Sequence, residues 1–336
     1  MINVAVIGCG YWGPNLIRNF ILCPKTDVRW VCDKDDKTLH SVVKPYPSIK
    51  TSVNLENILD DKKVDGVAIA TPVGTHFDIA KACLENGKHI LIEKPMASSV
   101  EDAMELIALA NKKSLNIMTD HTYCYTGTVR KIKEIMDSGE MGSALYYDSV
   151  RVNLGLFQHD VNVVWDLAPH DLSILDYLFE EQPVMVSTHG VCHAGNDIEN
   201  IAYVSIRYNN NFIAHLHLNW LSPVKIRKTI IGGDEKMIVW NDLDADEKIK
   251  IYNKGIIIKN GEQEIKRKLL VSYRSGDMHA PRFESSEALS LVALEFAESI
   301  IENRKPLTDG YAGLRVVKIL EAAEKSIKAD GANVRI

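Results

Sequence analysis

The sequence of 336 residues predicts an α/β protein, in which a doubly wound parallel sheet is followed by an α+β domain with an open, mostly antiparallel sheet. Over residues 1–121, short apolar runs alternate strictly with segments of 3.6-residue periodicity, as they do in successive βαβ units. Beyond residue 122, neighbouring apolar runs are joined by short turns such as YNNNF, which indicates antiparallel pairing. We therefore expect two domains, residues 1–121 and 122–336, and the C-terminal helix could pack back on the first.

These runs give the expected order of the elements. In the first domain, strands are expected at 3–8, 28–33, 66–71, 89–95 and 116–121, and helices at 15–22, 55–61, 76–87 and 100–113. In the second domain, a helix at 126–142 and a strand at 144–155 precede the stretch VVWDLAPHDLSILDYLF (163–179), which is expected to be one helix, amphipathic from Leu172 onward, with Pro169 in its first turn. Further strands are expected within 183–253, and helices at 285–303 and 313–328.

The composition argues against several classes of protein. With 46% apolar and 25% charged residues, the chain has the composition of an ordinary globular protein. A net charge of −6 and the lack of a basic run argue against nucleic-acid binding. No basic segment precedes an apolar one at the N-terminus, and no apolar run approaches ~18 residues, so neither a signal peptide nor a membrane span is expected. The six scattered cysteines, without a CxxC pair, favour reduced thiols and a cytoplasmic location.

The segment VIGCGYWG, directly after the first expected strand, has the glycine spacing of a dinucleotide-binding turn. Its glycines suit a tight turn, close approach of the backbone to a pyrophosphate, and close packing of helix on strand. Asp33 ends the second expected strand, where a carboxylate would accept hydrogen bonds from ribose hydroxyls and repel a 2′-phosphate. This favours NAD, although Lys34 keeps NADP open; the alternative is a glycine turn beside a solvated aspartate. The predicted cofactor contacts here are Gly8, Gly10, Tyr11, Trp12, Gly13, Asp33 and Lys34.

Two further strand ends present polar side chains where doubly wound sheets bind ligands. The first, ATPVGTHF, places Thr71, Pro72 and His76 near the cofactor, and His76 would either contact it or help to start its helix. The second, EKP, places Glu93 and Lys94 after an apolar strand as further cofactor contacts, and the alternative is an ion pair at the rim of the sheet. Lys94 is the leading candidate for chemistry, because an ammonium beside a cationic nicotinamide and a sugar hydroxyl could transfer a proton.

The segments VAVIGCGYWGPN, ATPVGTHFDIA, EKPMA and the D-x-x-x-H of DLAPHD, in this order, resemble the motifs of the Gfo/Idh/MocA superfamily, which includes glucose–fructose oxidoreductase and inositol dehydrogenase. The resemblance extends over essentially the whole chain. It implies an N-terminal NAD(P)-binding Rossmann domain and a C-terminal α/β domain whose open sheet carries the substrate and often the subunit interface. A homodimer or homotetramer is therefore expected, with no nucleic-acid or membrane partner.

Carried over position by position, the family's catalytic residues fall on Lys94, Asp166 and His170. Helical residues four apart share one face, about 6 Å apart, so Asp166 and His170 could address one hydroxyl if Pro169 lies in the first turn. His170 would be the general base, Asp166 would orient it or bind a neighbouring hydroxyl, and Lys94 would polarise the same oxygen or share the proton. Alternatively, Asp166 only caps the helix and His170 is an ordinary histidine. Asp171 is assigned to the helix dipole, with no catalytic role.

Other polar and aromatic side chains could line a substrate pocket in a cleft between the domains. They lie in DHTYCYTG after the first domain, in RVNLGLFQHDVNVVWD before the catalytic helix, and in the polar loop at 273–285. The predicted substrate contacts are Tyr123, Tyr125, Arg151, Asn153, Gln158, Trp165, Asp166, His170 and His279. The loop suits a diphosphate or a carboxylate, or it is a surface loop. An Asp/His pair could also ligate a metal, but no further ligands lie nearby in sequence, so no metal site is predicted.

The segments GLFQ…VNVVWDLAPHDLSI, GDMHAP and TDGYAGLRVVKILEAA resemble those of nucleotide-sugar dehydrogenases within this superfamily, such as UDP-N-acetylglucosamine 3-dehydrogenases. This resemblance implies hydride transfer between a ring secondary alcohol, with C3 favoured, and a nicotinamide. The alternatives are dehydrogenation of a free sugar or inositol, a glycosidase with a closed NAD redox cycle, and a non-catalytic cofactor-binding regulator. The intact set of Lys94, Asp166 and His170 argues against the regulator.

Overall fold

The structure, a computed structural model, describes residues 1–155, 160–193, 198–258, 271–274 and 276–336. The chain divides into two compact units. The first contains Met1–Thr126, Leu172–Asp176 and Ser285–Glu321, and the second contains Gly127–Asp171, Tyr177–Glu284 and Ala322–Ile336. The expected boundary after residue 121 lies close to the first break, but segments 172–176 and 285–321 of the expected second domain belong to the first unit.

A sheet of six parallel strands forms the centre of the first unit. The strands are β1 (Ile2–Ile7), β2 (Thr26–Cys32), β3 (Lys50–Ser52), β4 (Gly66–Ile69), β5 (His89–Glu93) and β6 (Ile117–Asp120). Their order is β3-β2-β1-β4-β5-β6, the order of a Rossmann fold. Strands β4 and β6 are buried along their whole length, as is typical of parallel strands in an α/β unit, and this holds for β6 although it is the last strand of the sheet. Strand β3 was not expected, because its sequence KTS is short and polar.

The helices are α1 (Gly13–Leu22), α2 (Asp36–Val43), α3 (Glu56–Asp60), α4 (His76–Glu85), α5 (Val100–Lys113), α6 (Gly127–Asp137), α7 (Val163–Leu178), α8 (Ala288–Ile301) and α9 (Gly310–Lys328). Helix α8 packs in the first unit because Gly66 leaves room for it: a Cβ there would lie 2.8 Å from the ring of Phe296. Phe296 also contacts Phe20 of α1, with ring centroids 6.0 Å apart. None of the described helices combines the length and the apolar character needed to cross a membrane.

The second unit contains a sheet of nine strands. Its strands are β7 (Ala144–Leu154), β8 (Met185–Val191), β9 (Ile201–Arg207), β10 (Ile213–Asn219), β11 (Leu221–Gly233), β12 (Met237–Asn241), β13 (Ile249–Tyr252), β16 (Met278–His279) and β17 (Val334–Arg335), while β14 (Gly255–Ile258) pairs with β15 (Val271–Arg274) separately. The order is β16-β13-β12-β11-β7-β10-β9-β8-β17, and among the described residues of this sheet only β7 and β10 pair in parallel. Burial alternates along β9 and β10, so one face of the sheet is more covered than the other. The predicted fold class, a parallel sheet followed by a mostly antiparallel one, is confirmed.

Helix α7 begins at Val163, at the front of the stretch expected to form one helix. Asn162 caps it: its Oδ1 accepts hydrogen bonds from the N–H groups of Val164 (3.1 Å) and Trp165 (3.2 Å). Pro169 therefore lies inside the helix and not in its first turn, which corrects the prediction. Since proline has no N–H, the ladder loses one bond there, and the surrounding packing must hold the helix together.

Candidate active site

The glycine turn after β1 is tight on two sides and open on a third. Gly8 has a φ of +98°, and a Cβ there would meet the carbonyl group of Ala70, just after β4. A Cβ at Gly13, the first residue of α1, would meet the carbonyl oxygen of Gly8. At exposed Gly10, by contrast, a Cβ would meet nothing within 4 Å. The backbone is therefore open to a ligand at the N-terminus of a 10-residue helix, where anionic groups are favoured.

Asp33, just after β2, is tied to the same turn. Its Oδ2 accepts a hydrogen bond from the N–H of Cys9 (2.6 Å), and its Oδ1 accepts one from the N–H of Asp35 (2.8 Å). Because a carboxylate can accept about four hydrogen bonds, positions remain for ribose hydroxyls. Asp33 thus fixes the glycine turn and also presents a negative charge beside it.

Three other predicted cofactor contacts are exposed around this turn. Tyr11 is 82% exposed and Trp12 is 37% exposed, with their rings in edge-to-face contact. Lys34 is exposed next to Asp33. Two large aromatic side chains left in solvent beside an open glycine turn provide apolar surface for a ligand.

His76 connects the end of β4 with the turn after β5. Its ring is 1% exposed, with Nε2 2.8 Å from the carbonyl oxygen of Thr71 and Nδ1 3.0 Å from that of Pro95. Burial lowers the pKa of His76, and a neutral imidazole has one N–H, so one of these oxygens accepts its hydrogen bond. The expectation that His76 contacts the cofactor is corrected, because its buried ring positions these two loops instead. Thr71 is half-buried and Pro72 is exposed, and both remain predicted cofactor contacts.

Glu93, at the end of β5, is 8% exposed and pairs in register with Asp120 of β6, which is 1% exposed. Burial and then repulsion by Asp120 raise the pKa of Glu93 well above its ordinary value, and burial also raises the pKa of Asp120. The expectation that Glu93 contacts the cofactor is therefore corrected: it is a buried acid that faces Asp120. The same rule that singled out Glu93, an acid at the end of an apolar strand, would also have found Asp120.

Lys94 follows Glu93 directly and is half-buried. Its positive charge acts on Glu93, Asp120 and His121, whose pKa values it lowers. All six strands are parallel, so their carboxyl ends share one edge of the sheet. Lys94, the glycine turn and Asp33 therefore lie at the edge where open α/β sheets bind ligands.

The residues after β6 divide into two groups. His121 is 2% exposed, neither ring nitrogen has a hydrogen-bond partner among the described residues, and burial with nearby positive charges lowers its pKa to about 3. Tyr125 is 0% exposed, and its hydroxyl lies 3.2 Å from the Oγ1 of Thr308, so it packs in the core and is not a substrate contact as predicted. Tyr123 is half-buried and remains a predicted substrate contact.

In the second unit, Asp166 and His170 lie four residues apart on one face of α7, as the motif predicts, and both are half-buried. The Oδ2 of Asp166 accepts a hydrogen bond from the Nε1 of Trp220 (3.0 Å), which is 1% exposed. A rigid, buried donor therefore sets the direction of this carboxylate. Asp166 does not cap the helix, because Asn162 does. The sequence did not identify Trp220, since no spacing links it to a residue 54 positions away.

Asp171, one residue beyond His170, is fully buried. Its carboxylate accepts hydrogen bonds from Nε (2.7 Å) and Nη2 (3.2 Å) of Arg151 and from the hydroxyls of Ser149 (2.8 Å) and Tyr147 (3.3 Å), all on β7. Two predictions are corrected here. The Arg151 side chain, 7% exposed, is paired with Asp171 and does not face a substrate, and Asp171 is not a surface acid at the helix terminus. Together they attach α7 to β7.

The remaining predicted substrate contacts lie in different places. Trp165 is 6% exposed and donates its indole N–H to Glu324 (3.0 Å), so it packs in the second unit, which corrects the prediction. Asn153 is half-buried near the end of β7 and remains a candidate. His279 is exposed on the edge strand β16. This strand is the fourth from β7 and hence roughly 19 Å from it, so His279 does not lie beside Asn153. Gln158 lies outside the described residues. Within those residues, no three histidine, cysteine or acidic side chains are arranged to hold a metal ion.

Comparison with known protein families identifies the proteins that share these two domains. Residues 2–121 match the family model described as an oxidoreductase family with an NAD-binding Rossmann fold, and residues 129–239 match that of the GFO/IDH/MocA C-terminal domain. The chain belongs to the Gfo/Idh/MocA oxidoreductase family. The resemblance inferred from the motifs is thus confirmed.

Several relatives of this Gfo/Idh/MocA protein are dehydrogenases. Over 263 residues, which are 76% of each chain, it is 27% identical to UDP-N-acetylglucosamine 3-dehydrogenase of Acidithiobacillus ferrooxidans. A solved structure of that enzyme has a TM-score of 0.83 at 22% identity, covering 98% of this chain and 99% of the other. The 1-carboxy-3-chloro-3,4-dihydroxycyclohexa-1,5-diene dehydrogenase of Comamonas testosteroni is 24% identical over 64% of this chain, which spans 57% of that relative's length. Levoglucosan dehydrogenase in complex with NADH has a TM-score of 0.84 at 18% identity, covering 100% of this chain and 99% of the other.

NAD is the cofactor of this Gfo/Idh/MocA protein, as predicted, because the matched family model is that of an NAD-binding Rossmann fold. The residues present fit it. The open backbone at Gly10 and the N-terminus of α1 suit a pyrophosphate, and the remaining acceptor positions of Asp33 suit ribose hydroxyls. Tyr11, Trp12 and Lys34 are exposed beside them.

Proposed function

We propose that this protein is an NAD-dependent dehydrogenase that interconverts a ring secondary alcohol and a ketone on a nucleotide-linked sugar, with C3 of a UDP-N-acetylglucosamine-like sugar favoured. The observation on which this rests is the Asp166–His170 pair on one face of α7, with the Asp166 carboxylate oriented by the buried indole of Trp220. The relationship to UDP-N-acetylglucosamine 3-dehydrogenase supports the substrate class.

The chain's own residues would manage the proton while the bound NAD exchanges hydride with the substrate. His170 takes the proton of the sugar hydroxyl, a role that suits imidazole near neutral pH. Asp166 orients His170 or binds an adjacent hydroxyl, and the bond from Trp220 limits the directions in which it can do so. Lys94, at the ligand-binding edge of the parallel sheet, donates a hydrogen bond to the same substrate oxygen and stabilises the charge that develops there.

Oxidation of a free sugar or an inositol is the second candidate. One observation favours it: the polar segment expected to hold a diphosphate includes His279, which lies on the edge strand β16 and not near the end of β7. A substrate without a diphosphate would not require this segment.

A substrate panel separates the candidates. The purified protein is incubated with NAD and UDP-sugars, free sugars or inositols, and the absorbance of reduced nicotinamide is followed. We expect the highest kcat/KM with a UDP-sugar. Activity on free sugars or inositols alone would support the second candidate, and cleavage of a glycoside without net NADH release would indicate a closed redox cycle instead.

Substitutions test the assigned roles. We expect His170→Ala and Lys94→Ala each to lower kcat by about 10²-fold or more, because general acid–base groups contribute about 10²–10⁴-fold. Calorimetry should show NAD binding within about threefold of the unmodified protein. His40→Ala and Lys328→Ala are matched controls, since these side chains are 70% and 73% exposed. Near-normal kcat for both His170→Ala and Lys94→Ala would contradict the assignment.

A further inference from the structure

Glu93 and Asp120 form a buried carboxyl pair at the ligand-binding edge of the parallel sheet. They are register partners on neighbouring strands, 8% and 1% exposed. The N–H of Lys94 donates to Oε2 of Glu93 (3.2 Å), and the hydroxyl of Thr122 donates to Oδ1 of Asp120 (2.7 Å). The Oδ2 of Asp120 is also buried, and with both acids ionised it meets no donor among the described residues. The pair therefore lacks one hydrogen-bond donor, at the Oδ2 of Asp120.

A single proton resolves this shortage. A buried carboxylate oxygen without a donor is costly, and two adjacent carboxylates in a protein interior repel each other. If Glu93 is protonated, its O–H can donate to Asp120, which supplies the missing donor and removes one charge. Burial raises the pKa of both acids, and repulsion by Asp120 raises that of Glu93 further, so the proton is placed on Glu93 while the interaction with Glu93 lowers the pKa of Asp120.

The surrounding groups do not replace this proton. His121 is neutral because burial lowers its pKa to about 3, and its ring forms no hydrogen bond with the acids. Lys94 acts on both acids through its positive charge, but the effect of burial is larger. The titratable and charged groups that act on or around the pair are Lys94, His121, Cys124, Tyr125, Glu295 and Arg315.

We propose that Asp120 is a positioning residue: it shares one proton with Glu93, and the single negative charge of the pair holds the Lys94 ammonium at the end of β5. The proposal rests on the proposed function in taking Lys94 as the residue that contacts the substrate oxygen. The shared proton itself does not depend on the reaction.

Infrared spectroscopy tests the shared proton directly. A protonated carboxylic acid has a carbonyl stretch separate from the carboxylate bands. We expect such a band at neutral pH, and we expect Glu93→Gln to remove it. The amide N–H of Gln can still donate to Asp120, so this variant keeps the hydrogen bond and the negative charge but loses the proton. Absence of a band that is sensitive to Glu93→Gln would overturn the proposal.

The charge on the pair is tested by comparing Glu93→Gln with the double variant Glu93→Gln/Asp120→Asn. Both are isosteric with the native pair, and they differ by one negative charge. Competitive labelling with acetic anhydride, read by mass spectrometry, reports how firmly the Lys94 ammonium is held. We expect Glu93→Gln to label Lys94 within about threefold of the native rate and the double variant to label it about tenfold faster, because only the double variant removes the negative charge that attracts the ammonium. Equal labelling in the two variants would overturn the proposal.

Measurements of kcat distinguish failure of this inference from failure of the proposed function. If the protein is a sugar dehydrogenase, kcat should fall about tenfold in the double variant and much less in Glu93→Gln, with the KM for NAD nearly unchanged. If no sugar is oxidised, the proposed function fails while the infrared band and the labelling rates still decide the inference. A loss of kcat as large in Glu93→Gln as in the double variant would show a structural role and would contradict the positioning role.

Discussion

Replacing Asp171 with alanine tests whether its buried pair with Arg151 anchors the helix that holds Asp166 and His170. The two side chains are 0% and 7% exposed, so water cannot solvate the guanidinium once its partner is gone. Removing one member of a buried ion pair costs about 3–5 kcal/mol, and here the hydroxyls of two β7 residues also lose their acceptor. We therefore expect Asp171→Ala to lower the free energy of unfolding by about 3–5 kcal/mol and to lower kcat, because α7 is no longer fixed on β7.

A second acid on the same helix provides the matched control. Asp176 pairs with Arg315 (Nε to Oδ1, 2.5 Å), but the guanidinium side chain is 37% exposed. Asp176→Ala should therefore cost only about 1–2 kcal/mol, because water can solvate the remaining charge. The measurement is urea-induced unfolding followed by circular dichroism, together with kcat.

A compensating variant sharpens the test. Arg151→Met/Asp171→Leu removes both charges and should be more stable than Asp171→Ala, since apolar residues of similar size can replace a buried pair at little cost. The reasoning is refuted if Asp171→Ala costs no more than Asp176→Ala, or if the double variant is no more stable than Asp171→Ala.

Two further predictions follow from the parallel sheet. The first concerns pH. The folded pKa of Glu93 is raised above its ordinary value of 4.5, so above pH 4.5 the folded state binds more protons than the unfolded state. The free energy of unfolding should therefore fall as the pH rises toward the folded pKa, by at most about 1.4 kcal/mol per pH unit. Thermal denaturation at a series of pH values rising from 4.5 should show the slope in the native protein and a smaller one in Glu93→Gln; equal slopes would contradict it. The second concerns the glycine turn: Gly8→Ala should destabilise the protein by about 1–3 kcal/mol, because φ is +98° and the new Cβ meets the Ala70 carbonyl. Gly10→Ala should leave the melting temperature unchanged yet weaken NAD binding by calorimetry, since its Cβ projects into the open space; equal behaviour of the two variants would be evidence against this geometry.

The parts of the fold that could be predicted are those in which the relevant information is local. Apolar runs alternating with helical periodicity predicted the parallel sheet, and the glycine spacing predicted the turn after β1, because Gly13 meets Gly8 five residues away and Gly8 meets the end of the adjacent strand. Strand β3 and helix α2 were not predicted, since one is three polar residues and the other has only two buried positions. A weak local pattern does not distinguish such elements from loops.

The parts of the candidate site that could not be predicted depend on tertiary contacts. Arg151 and Asp171 looked like a substrate contact and a surface acid, because a sequence shows the charge of a residue but not the partner that removes it from solvent. Trp165 and Tyr125 looked like surfaces for a sugar, yet both are buried and hydrogen-bonded to neighbours in their own units. Arg151, Asp171, Trp165 and Tyr125 thus support the fold around the catalytic motif.

The first turns of α7 show how support and chemistry are divided on a single helix. Successive helical residues are rotated by about 100°, so Asp171 lies about 140° around the axis from Asp166 and about 100° from His170. The sequence placed Pro169 in the first turn and Asp171 at the helix N-terminus; because the helix begins at Val163, Asp171 lies inside it, and helical geometry separates it from Asp166. Asp166 and His170 occupy a half-buried face, while Asp171 is directed to the buried side against β7. Pro169 removes one helical hydrogen bond in this segment, and the ion pair of Asp171 with Arg151 and the bond from Trp220 to Asp166 hold the helix from two different sides.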